Sequence, residues 1–181
     1  PAVGAGSVGA QRFVDAAAAT AHAVGLQRAG RAVLVQPYDP RIAVGETALV
    51  FINGKPSHAF TKGPILPPAG RRPEFEETGT FAAEKLGAAD PDDAVWEIGH
   101  TAVESVLRRF AMRSADLLYA RVDVIGGSHD PRLLELELIE PSLGFRQLGA
   151  TEKRRAEREY ALGVESALHR LGLGPLSRGG R

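Results

Sequence analysis

The chain has 181 residues, 44% of them hydrophobic and 24% charged, as in ordinary globular proteins that bury a substantial core. Its 22 Lys and Arg residues balance its 22 Asp and Glu residues, so net charge does not point to a nucleic acid or an anionic membrane as a partner. Without cysteine the chain has no disulfides or thiolate sites, and no run approaches the roughly 20 apolar residues of a membrane span, so we expect a cytoplasmic protein.

The chain begins with a glycine-rich segment, PAVGAGSVGA, that leads into an alanine-rich stretch. Residues 4–9 match GxGxxG, but the dinucleotide-binding form needs an acidic residue about 20 positions later, and none occurs between Asp15 and Asp39. Its backbone N–H groups and Ser7 can cradle phosphate oxygens, and an ordinary surface turn is the alternative. Because such turns usually follow a strand, we expect that the chain lacks its natural beginning.

The first half of the chain predicts a helix, three strands and a long loop. Apolar spacing favours a helix over 11–30 and a buried strand over 31–38. Residues 47–65 alternate around Asn53-Gly54, which predicts a β-hairpin with a tight turn. Proline-rich residues 63–90 predict a long loop.

The second half predicts a helix over 90–115, two strands in DLLYARVDVIGG and RLLELELIEP, and a final helix over about 152–171. The glycine- and arginine-rich end after that helix predicts a disordered tail. The order helix, three strands, helix, hairpin, helix favours an α+β fold over a doubly wound parallel sheet.

The last two predicted strands place several charges on one face. Side chains alternate along a strand, so Glu135 and Glu137 share one face and the intervening leucines the other. In the preceding strand Arg121 and Asp123 share a face, and the hairpin can bring them opposite the glutamates. Close carboxylates repel by up to roughly 1 kcal/mol unless a hard cation such as Mg²⁺ joins them. A solvated polar face is the alternative.

Five motifs together resemble a known family, in the order PAVGAGSVGA, VLVQPY, GETALVFINGKPSHAFTKGP, LLYARVDVI and LELELIEPS. They are similar to the C-terminal part of ATP-grasp proteins, in the branch with glutathione synthetase ATP-binding domains and the cyclo-ligase of cycloserine biosynthesis. The resemblance runs from Pro1 to about Phe145. It implies an α+β fold with an ATP-grasp-type antiparallel sheet and flanking helices, incomplete at the N-terminus. Residues 1–150 would be the nucleotide- and metal-binding region, and 151–181 a C-terminal helix and tail.

The resemblance implies an enzyme, an ATP- and Mg²⁺-dependent carboxylate ligase for which this chain supplies the ATP and metal cleft. In that chemistry ATP phosphorylates a carboxylate to an acyl phosphate, which an amine or similar nucleophile attacks. The expected cofactors are ATP and Mg²⁺ or Mn²⁺, the expected partners are small-molecule carboxylates and amines, and homo-oligomer formation is left open. The alternatives are a non-catalytic nucleotide-binding module, an inactive fragment of a ligase, and an α+β domain without a nucleotide.

The resemblance also gives a role to each charged residue of the last two strands. Asp123, Glu135 and Glu137 resemble the Mg²⁺ ligands that bridge the ATP phosphates, although the family often has Asn at the position of Glu137. Arg121 resembles the catalytic arginine that stabilises charge on the transferring phosphoryl group.

The remaining matches are ATP-binding positions in four segments. They are Gly6, Ser7 and Gly9 in the glycine loop over the phosphates; Gln36, Pro37 and Tyr38 in the hinge that lines the adenine pocket; Glu46 toward the ribose; and Lys62 toward substrate or phosphate.

Two features depart from the branch. A lysine that usually precedes the PAVGAGS proline, and the N-terminal domain that helps to hold the acceptor, are absent from the sequence. The chain reads PSLGF where the branch reads Pro-Ser-Leu-Phe, so the wall after Ser142 is expected to be shifted.

Overall fold

A computed structural model describes residues 2, 10–64 and 85–174 of the chain. The chain forms two compact units, one made of Pro1–Val44 and Gly63–Lys85, the other of Gly45–Lys62 and Leu86–Arg181. The glycine loop at 3–9, much of the loop predicted over 63–90 and residues 175–181 of the predicted tail lie outside the described residues. In the described part of the chain, no helix has the length and apolarity needed to cross a membrane.

The described residues of the first unit include one α-helix. Helix α1 spans Ala16–Arg28, within the predicted range 11–30. Asp15 caps its N-terminus, because the carboxylate accepts hydrogen bonds from two successive N–H groups of the first turn. A short 3-10 helix lies at Pro40–Val44. The helix predicted from the alanine-rich stretch is therefore confirmed.

The strand predicted over 31–38 is wrong for the described residues, among which this segment joins no sheet. Its apolar side chains are not buried either, since Leu34 is 70% and Val35 73% exposed. Among the described residues, the Ala2 N–H donates to the Ala32 carbonyl at 2.8 Å, but one such hydrogen bond does not make a strand, and β-branched composition alone does not supply more. Hydrophobic content was therefore a misleading signal here.

The second unit is built on a five-stranded antiparallel sheet with the strand order β3-β2-β1-β4-β5. The strands are β1 (Glu46–Ile52), β2 (Lys55–Lys62), β3 (Leu86–Ala88), β4 (Tyr119–Ile125) and β5 (Arg132–Glu137). Two helices flank it, α2 (Asp93–Arg109) and α3 (Ala150–Arg170). This architecture confirms the predicted α+β fold. Strand β3 was not predicted, because it has only three residues.

Helix α3 lies in the same compact unit as the sheet. The assignment of 1–150 as a nucleotide- and metal-binding region, separate from 151–181, stays a prediction.

The turn between β1 and β2 confirms the predicted hairpin. Asn53 and Gly54 have φ angles of 53° and 68°, the left-handed pair that a type I′ turn requires. Glycine is needed at the second position for space as well, since a Cβ on Gly54 would lie 2.8 Å from the Cβ of Ser114. The turn sets the pairing of β1 with β2 next to it, where Ile52 faces Lys55.

Apolar side chains cover both faces of the sheet. Toward α2, Leu49 and Phe51 pack with Val103 and Val122 in the larger core. On the other face Ala48, Val50, Ile52 and Phe60 form a smaller core, with Leu143, Phe145 and Tyr160 packed against it. Strand β1 is buried on both faces, which explains why its sequence reads as a continuous apolar run.

A bulge interrupts the pairing of β4 with β5. The register shifts between Asp123 and Val124, so that Val124 pairs with Leu133 while Asp123 pairs with Glu135. As a result Leu133 joins Leu136 in lining a hollow beside α2, where strict alternation predicted Leu134. The two glutamates nevertheless keep their predicted common face.

The segment after β5 turns back over the smaller core at Gly144. This glycine has a φ angle of 63°, and a Cβ on it would lie 2.3 Å from a ring carbon of Phe60. The segment can therefore approach the sheet only if this position has no side chain. A short 3-10 helix, Phe145–Gln147, follows and leads to α3.

We predict that Gly144→Ala destabilises the chain by about 3 kcal/mol, because it adds a steric clash to left-handed strain. Gly127→Ala is the matched control, since Gly127 has a φ angle of 60° and open space around it. That variant should lose only about 1 kcal/mol, from strain alone. Urea unfolding measures both, and equal losses would contradict the packing described for Gly144.

Candidate functional site

Charged side chains from four strands gather on the sheet face that carries the smaller core. They are Glu46 on β1, Lys62 on β2, Arg121 and Asp123 on β4, and Glu135 and Glu137 on β5, named here the charge cluster. Alternation explains this placement, because Asp123 pairs with Ala48 and Arg121 with Val50, two members of the smaller core. The charge cluster is thus the polar continuation of that core.

Asp123 is the centre of the charge cluster and has 0% of its surface exposed. The Arg121 guanidinium binds it in a bidentate manner, with Nε 2.8 Å from Oδ1 and Nη2 2.9 Å from Oδ2. The Lys62 Nζ atom donates to Oδ2 at 2.8 Å. A buried carboxylate is tolerated only when paired and hydrogen-bonded, and here both oxygens have cationic donors.

Lys62 reaches Asp123 across an intervening strand. Lys62 lies on β2 and Asp123 on β4, with β1 between them. Strands two places apart are separated by roughly 10 Å, so the long lysine side chain must pass over β1. Buried Ala48, which pairs with Asp123 on one side and Phe60 on the other, leaves room for it. A larger residue at this position would compete with the ammonium group for space.

Two glutamates complete the pairing around the cations. Glu137 Oε2 lies 2.8 Å from Arg121 Nη2, and Glu46 Oε2 lies 3.4 Å from Lys62 Nζ. Burial raises the pKa of Glu46, and the neighbouring Asp123 carboxylate adds to this although Lys62 opposes it. Burial likewise raises the pKa of Glu137 against the opposing charge of Arg121. Both carboxyls therefore bind protons more readily than exposed glutamates.

The two cations are held in their charged forms. Burial disfavours the charge of Lys62, but the charges of Asp123 and Glu46 and the hydrogen bond to Asp123 together outweigh burial, so the pKa of Lys62 is raised. Burial also disfavours the charge of Arg121, but its hydrogen bonds to Asp123 and the charges of the nearby carboxylates together outweigh burial, so the pKa of Arg121 is raised as well. With all groups ionised, four carboxylates face two cations, so the charge cluster has a net charge of −2 and is two positive charges short of neutrality.

The donor chemistry of the predicted metal ligands suits Mg²⁺, since Asp123, Glu135 and Glu137 offer only oxygen atoms. In residues 2, 10–64 and 85–174, however, no three His, Cys, Asp or Glu side chains are arranged to hold a metal ion. Asp123 is engaged by Arg121 and Lys62 instead. The structure thus places Asp123 directly across from Glu135, as the hairpin predicted, and their role as metal ligands stays a prediction.

The predicted hinge residues Gln36, Pro37 and Tyr38 lie in the first unit and line a hollow of about 330 Å³. Apolar side chains, including that of Phe13, form much of its wall. The Arg12 guanidinium lies 3.6 Å from the centre of the Tyr38 ring, a cation–π contact. Their predicted contact with adenine is not tested by this geometry. Gly6, Ser7 and Gly9 lie outside the described residues.

Two relationships in the site were not predicted from the sequence. Glu46 and Lys62 were assigned separate roles, yet they are cross-strand partners, which the hairpin turn could have indicated. His58 was not considered, although it is buried on the same face as Val50 and donates to the loop after β5. Its signal was a polar residue inside the buried run SHAF.

No protein-family profile matches the chain, but its sequence and fold resemble known proteins. Over 131 residues the chain is 33% identical to cycloserine biosynthesis protein DcsG of Streptomyces lavendulae, which covers 70% of this chain and 41% of that protein. The crystal structure of D-cycloserine synthetase DcsG matches with a TM-score of 0.62 at 28% identity, covering 81% of this chain and 48% of that one.

A more distant structure shares the fold. D-Alanine–D-alanine ligase from Bacillus anthracis, crystallised with ATP, matches with a TM-score of 0.51 at 14% identity, covering 86% of this chain and 46% of that one. The chain thus spans less than half the length of each of these proteins.

We predict that Lys62→Met destabilises the chain by about 3 kcal/mol, because it removes one partner of a buried ion pair and leaves the other charge behind. Lys55→Met is the control, an exposed lysine on the same strand that should change stability by no more than about 0.5 kcal/mol. Urea unfolding at neutral pH measures the difference. Similar effects of the two variants would show that Lys62 does not stabilise Asp123.

The raised pKa of Glu46 predicts a pH-dependent effect of Glu46→Gln. The folded chain holds this proton more tightly than the unfolded chain, so the carboxyl stabilises the fold below its ordinary pKa of 4.5 and loses that contribution as pH rises through the raised pKa. Relative to the parent, the free energy of unfolding of E46Q should therefore increase between about pH 4 and pH 7.

Chemical unfolding across that range measures the difference, with Glu104→Gln, an exposed glutamate on α2, as the control. A difference between E46Q and the parent that stays constant or decreases with pH would mean that burial does not govern the Glu46 carboxyl.

Proposed function

Because the chain belongs to the ATP-grasp superfamily, we propose that its charge cluster binds the phosphates of ATP through Mg²⁺, as part of an ATP-dependent carboxylate ligase. The observation that carries the proposal is the group of four carboxylates and two cations on one face of the sheet, with Asp123, Arg121 and Lys62 buried at its centre. Apolar residues would pack at least as well in these positions, so packing alone does not explain the concentration of charge.

The charge balance of the cluster supports a metal-bridged nucleotide. A polyphosphate alone would be repelled by a site that is two positive charges short of neutrality. Mg²⁺ joins carboxylate to phosphate oxygens and neutralises both. Asp123, Glu135 and Glu137 would hold it, with Asp123 exchanging a bond to Lys62 or Arg121 for the metal. The nucleotide is therefore expected to bind only together with the metal.

Arg121 is the proposed catalytic residue. Its guanidinium is held by Asp123 and Glu137, and its Nη1 atom donates to the carbonyl oxygen of Ser142 at 3.3 Å. A group fixed in this way can stabilise developing negative charge without reorganising. In the proposed reaction an acceptor carboxylate attacks the γ-phosphorus and ADP leaves. An amine or similar nucleophile then displaces phosphate from the acyl phosphate.

The remaining roles follow from position and family. We propose that Lys62 turns from Asp123 toward a phosphate or substrate oxygen, that Glu46 binds ribose hydroxyls, and that Gln36–Tyr38 contact adenine. The names of the relatives, D-cycloserine synthetase and D-alanine–D-alanine ligase, support small-molecule substrates. The acceptor and the nucleophile are not assigned.

A non-catalytic nucleotide-binding module is the second candidate. What favours it is that both oxygens of Asp123 are occupied by cations of the chain itself. Release of ADP that depends on an added acceptor separates the two candidates. A ligase produces it, whereas a binding module does not.

We predict that calorimetric titration of the chain with ADP shows saturable binding with Mg²⁺ and none without it. Glu137→Ala should weaken binding of the Mg·ADP complex about tenfold or more, because it removes a metal ligand. The control is Glu104→Ala on α2, which lies on the other side of the sheet. If folded E137A binds Mg·ADP as tightly as E104A, the assignment of Glu137 is wrong.

A further inference from the structure

His58 is a buried polar residue for which the proposed reaction has no role. Only 2% of its surface is exposed, and it lies on β2 opposite Val50. Its Nε2 atom lies 2.6 Å from the carbonyl oxygen of Leu143, and its Nδ1 atom lies 3.0 Å from the Ser57 hydroxyl oxygen. A carbonyl can only accept, so Nε2 carries a proton and donates it. Nδ1 of the neutral ring then accepts from Ser57.

The neutral form of the ring is the one that burial favours. Burial lowers the pKa of His58, although the hydrogen bond to the Leu143 carbonyl opposes this. At neutral pH the ring therefore has one defined donor and one defined acceptor. Both are used, so the orientation of the imidazole is fixed.

A bulge in the sheet gives His58 this orientation. The register shifts between Val50 and Phe51, so that Val50 pairs with His58 while Phe51 pairs with Pro56, which leaves Ser57 unpaired. A bulge changes the direction in which side chains point, and this one allows the adjacent side chains of Ser57 and His58 to contact each other. Arg155 of α3 donates to the carbonyl oxygen of Ser57 at 3.1 Å, so the bulge is also tied to the helix.

The loop that His58 holds also contacts Arg121. Leu143 accepts from His58, and the preceding carbonyl, of Ser142, accepts from Arg121 Nη1. The Phe145 ring packs 5.4 Å from the His58 ring, and Gly144 lies against Phe60 without room for a side chain. The segment 141–145 is thus attached to β2 through His58 and to β4 through Arg121.

We propose that His58 is a positioning residue that holds the segment 141–145 against the sheet and thereby fixes the Nη1 atom of the Arg121 guanidinium. Asp123 fixes Nε and Nη2 of that group, and Ser142 takes Nη1. Without the His58 bond, the Ser142 carbonyl would lose its fixed place and Arg121 one of its anchors. This inference rests on the proposed function, because it concerns how Arg121 is presented to the γ-phosphate.

The test compares two nucleotides and two measurements. The probes are Mg·ADP and Mg²⁺ with the non-hydrolysable triphosphate adenylyl imidodiphosphate, both titrated calorimetrically. Hydrogen exchange of the amides in 141–147 is measured without nucleotide. The variants are His58→Phe, which loses the donor, and His58→Gln, whose side-chain amide replaces Nε2. His100→Phe is the control, an exposed histidine on α2.

The proposal predicts that H58F weakens binding of the triphosphate about fivefold, the loss expected for one hydrogen bond, while binding of ADP changes less than about twofold. Exchange in 141–147 should be about fivefold faster in H58F. H58Q should restore both values, and H100F should change neither. General loss of structure would weaken the binding of both nucleotides equally. A difference between the two losses of affinity is therefore specific to the γ-phosphate.

Equal weakening of the two nucleotides, unchanged exchange in 141–147, or no rescue by H58Q would overturn the proposal. If H58F does not fold, His58→Asn replaces it, because the shorter amide imitates Nδ1 and does not reach Leu143. If the parent binds neither nucleotide, the proposed function fails and the role through Arg121 fails with it. The exchange measurement then decides separately whether His58 tethers the loop.

Discussion

A carboxylate without solvent contact lies within the sheet of the second unit, and the arrangement around it depends on how that charge is neutralised. Asp123 needs cationic donors from within the fold, and Arg121 and Lys62 supply them from two different strands. Lys62 must pass over β1 to reach Asp123, and the β1 residue that pairs with Asp123 is the small Ala48. One buried charge thus constrains the residues of three adjacent strands.

The same constraint explains why the two faces of the sheet differ. The face toward α2 is apolar throughout its core, whereas the other face changes from the packed side chains of Val50 and Phe60 to ion pairs. Replacing such a cluster with apolar residues often stabilises a protein, so its presence points to binding rather than to stability. The loop held by His58 lies where the apolar and charged parts meet. The packed core and the proposed binding site are therefore adjacent on this face.

Local patterns predicted much of the fold and part of the site. The Asn53-Gly54 turn and the alternation through Glu135 and Glu137 were sufficient to place two hairpins, because these signals act over a few residues. The segment 31–38 could not be predicted in this way, since whether an apolar run joins a sheet depends on partners far away in the sequence. The two contacts of Asp123 with cations depend on the register and the bulges of three paired strands. The pattern of a single strand does not contain this information.

We propose that metal and nucleotide bind at the charge cluster. The most direct test is a crystal of the chain grown with ADP and Mn²⁺, with an anomalous difference map collected at the manganese edge. If this proposal is right, the map has a peak within about 2 Å of carboxylate oxygens of Asp123 and of at least one of Glu135 and Glu137. Bound ADP with manganese elsewhere, while Asp123 keeps its bonds to Arg121 and Lys62, would contradict it.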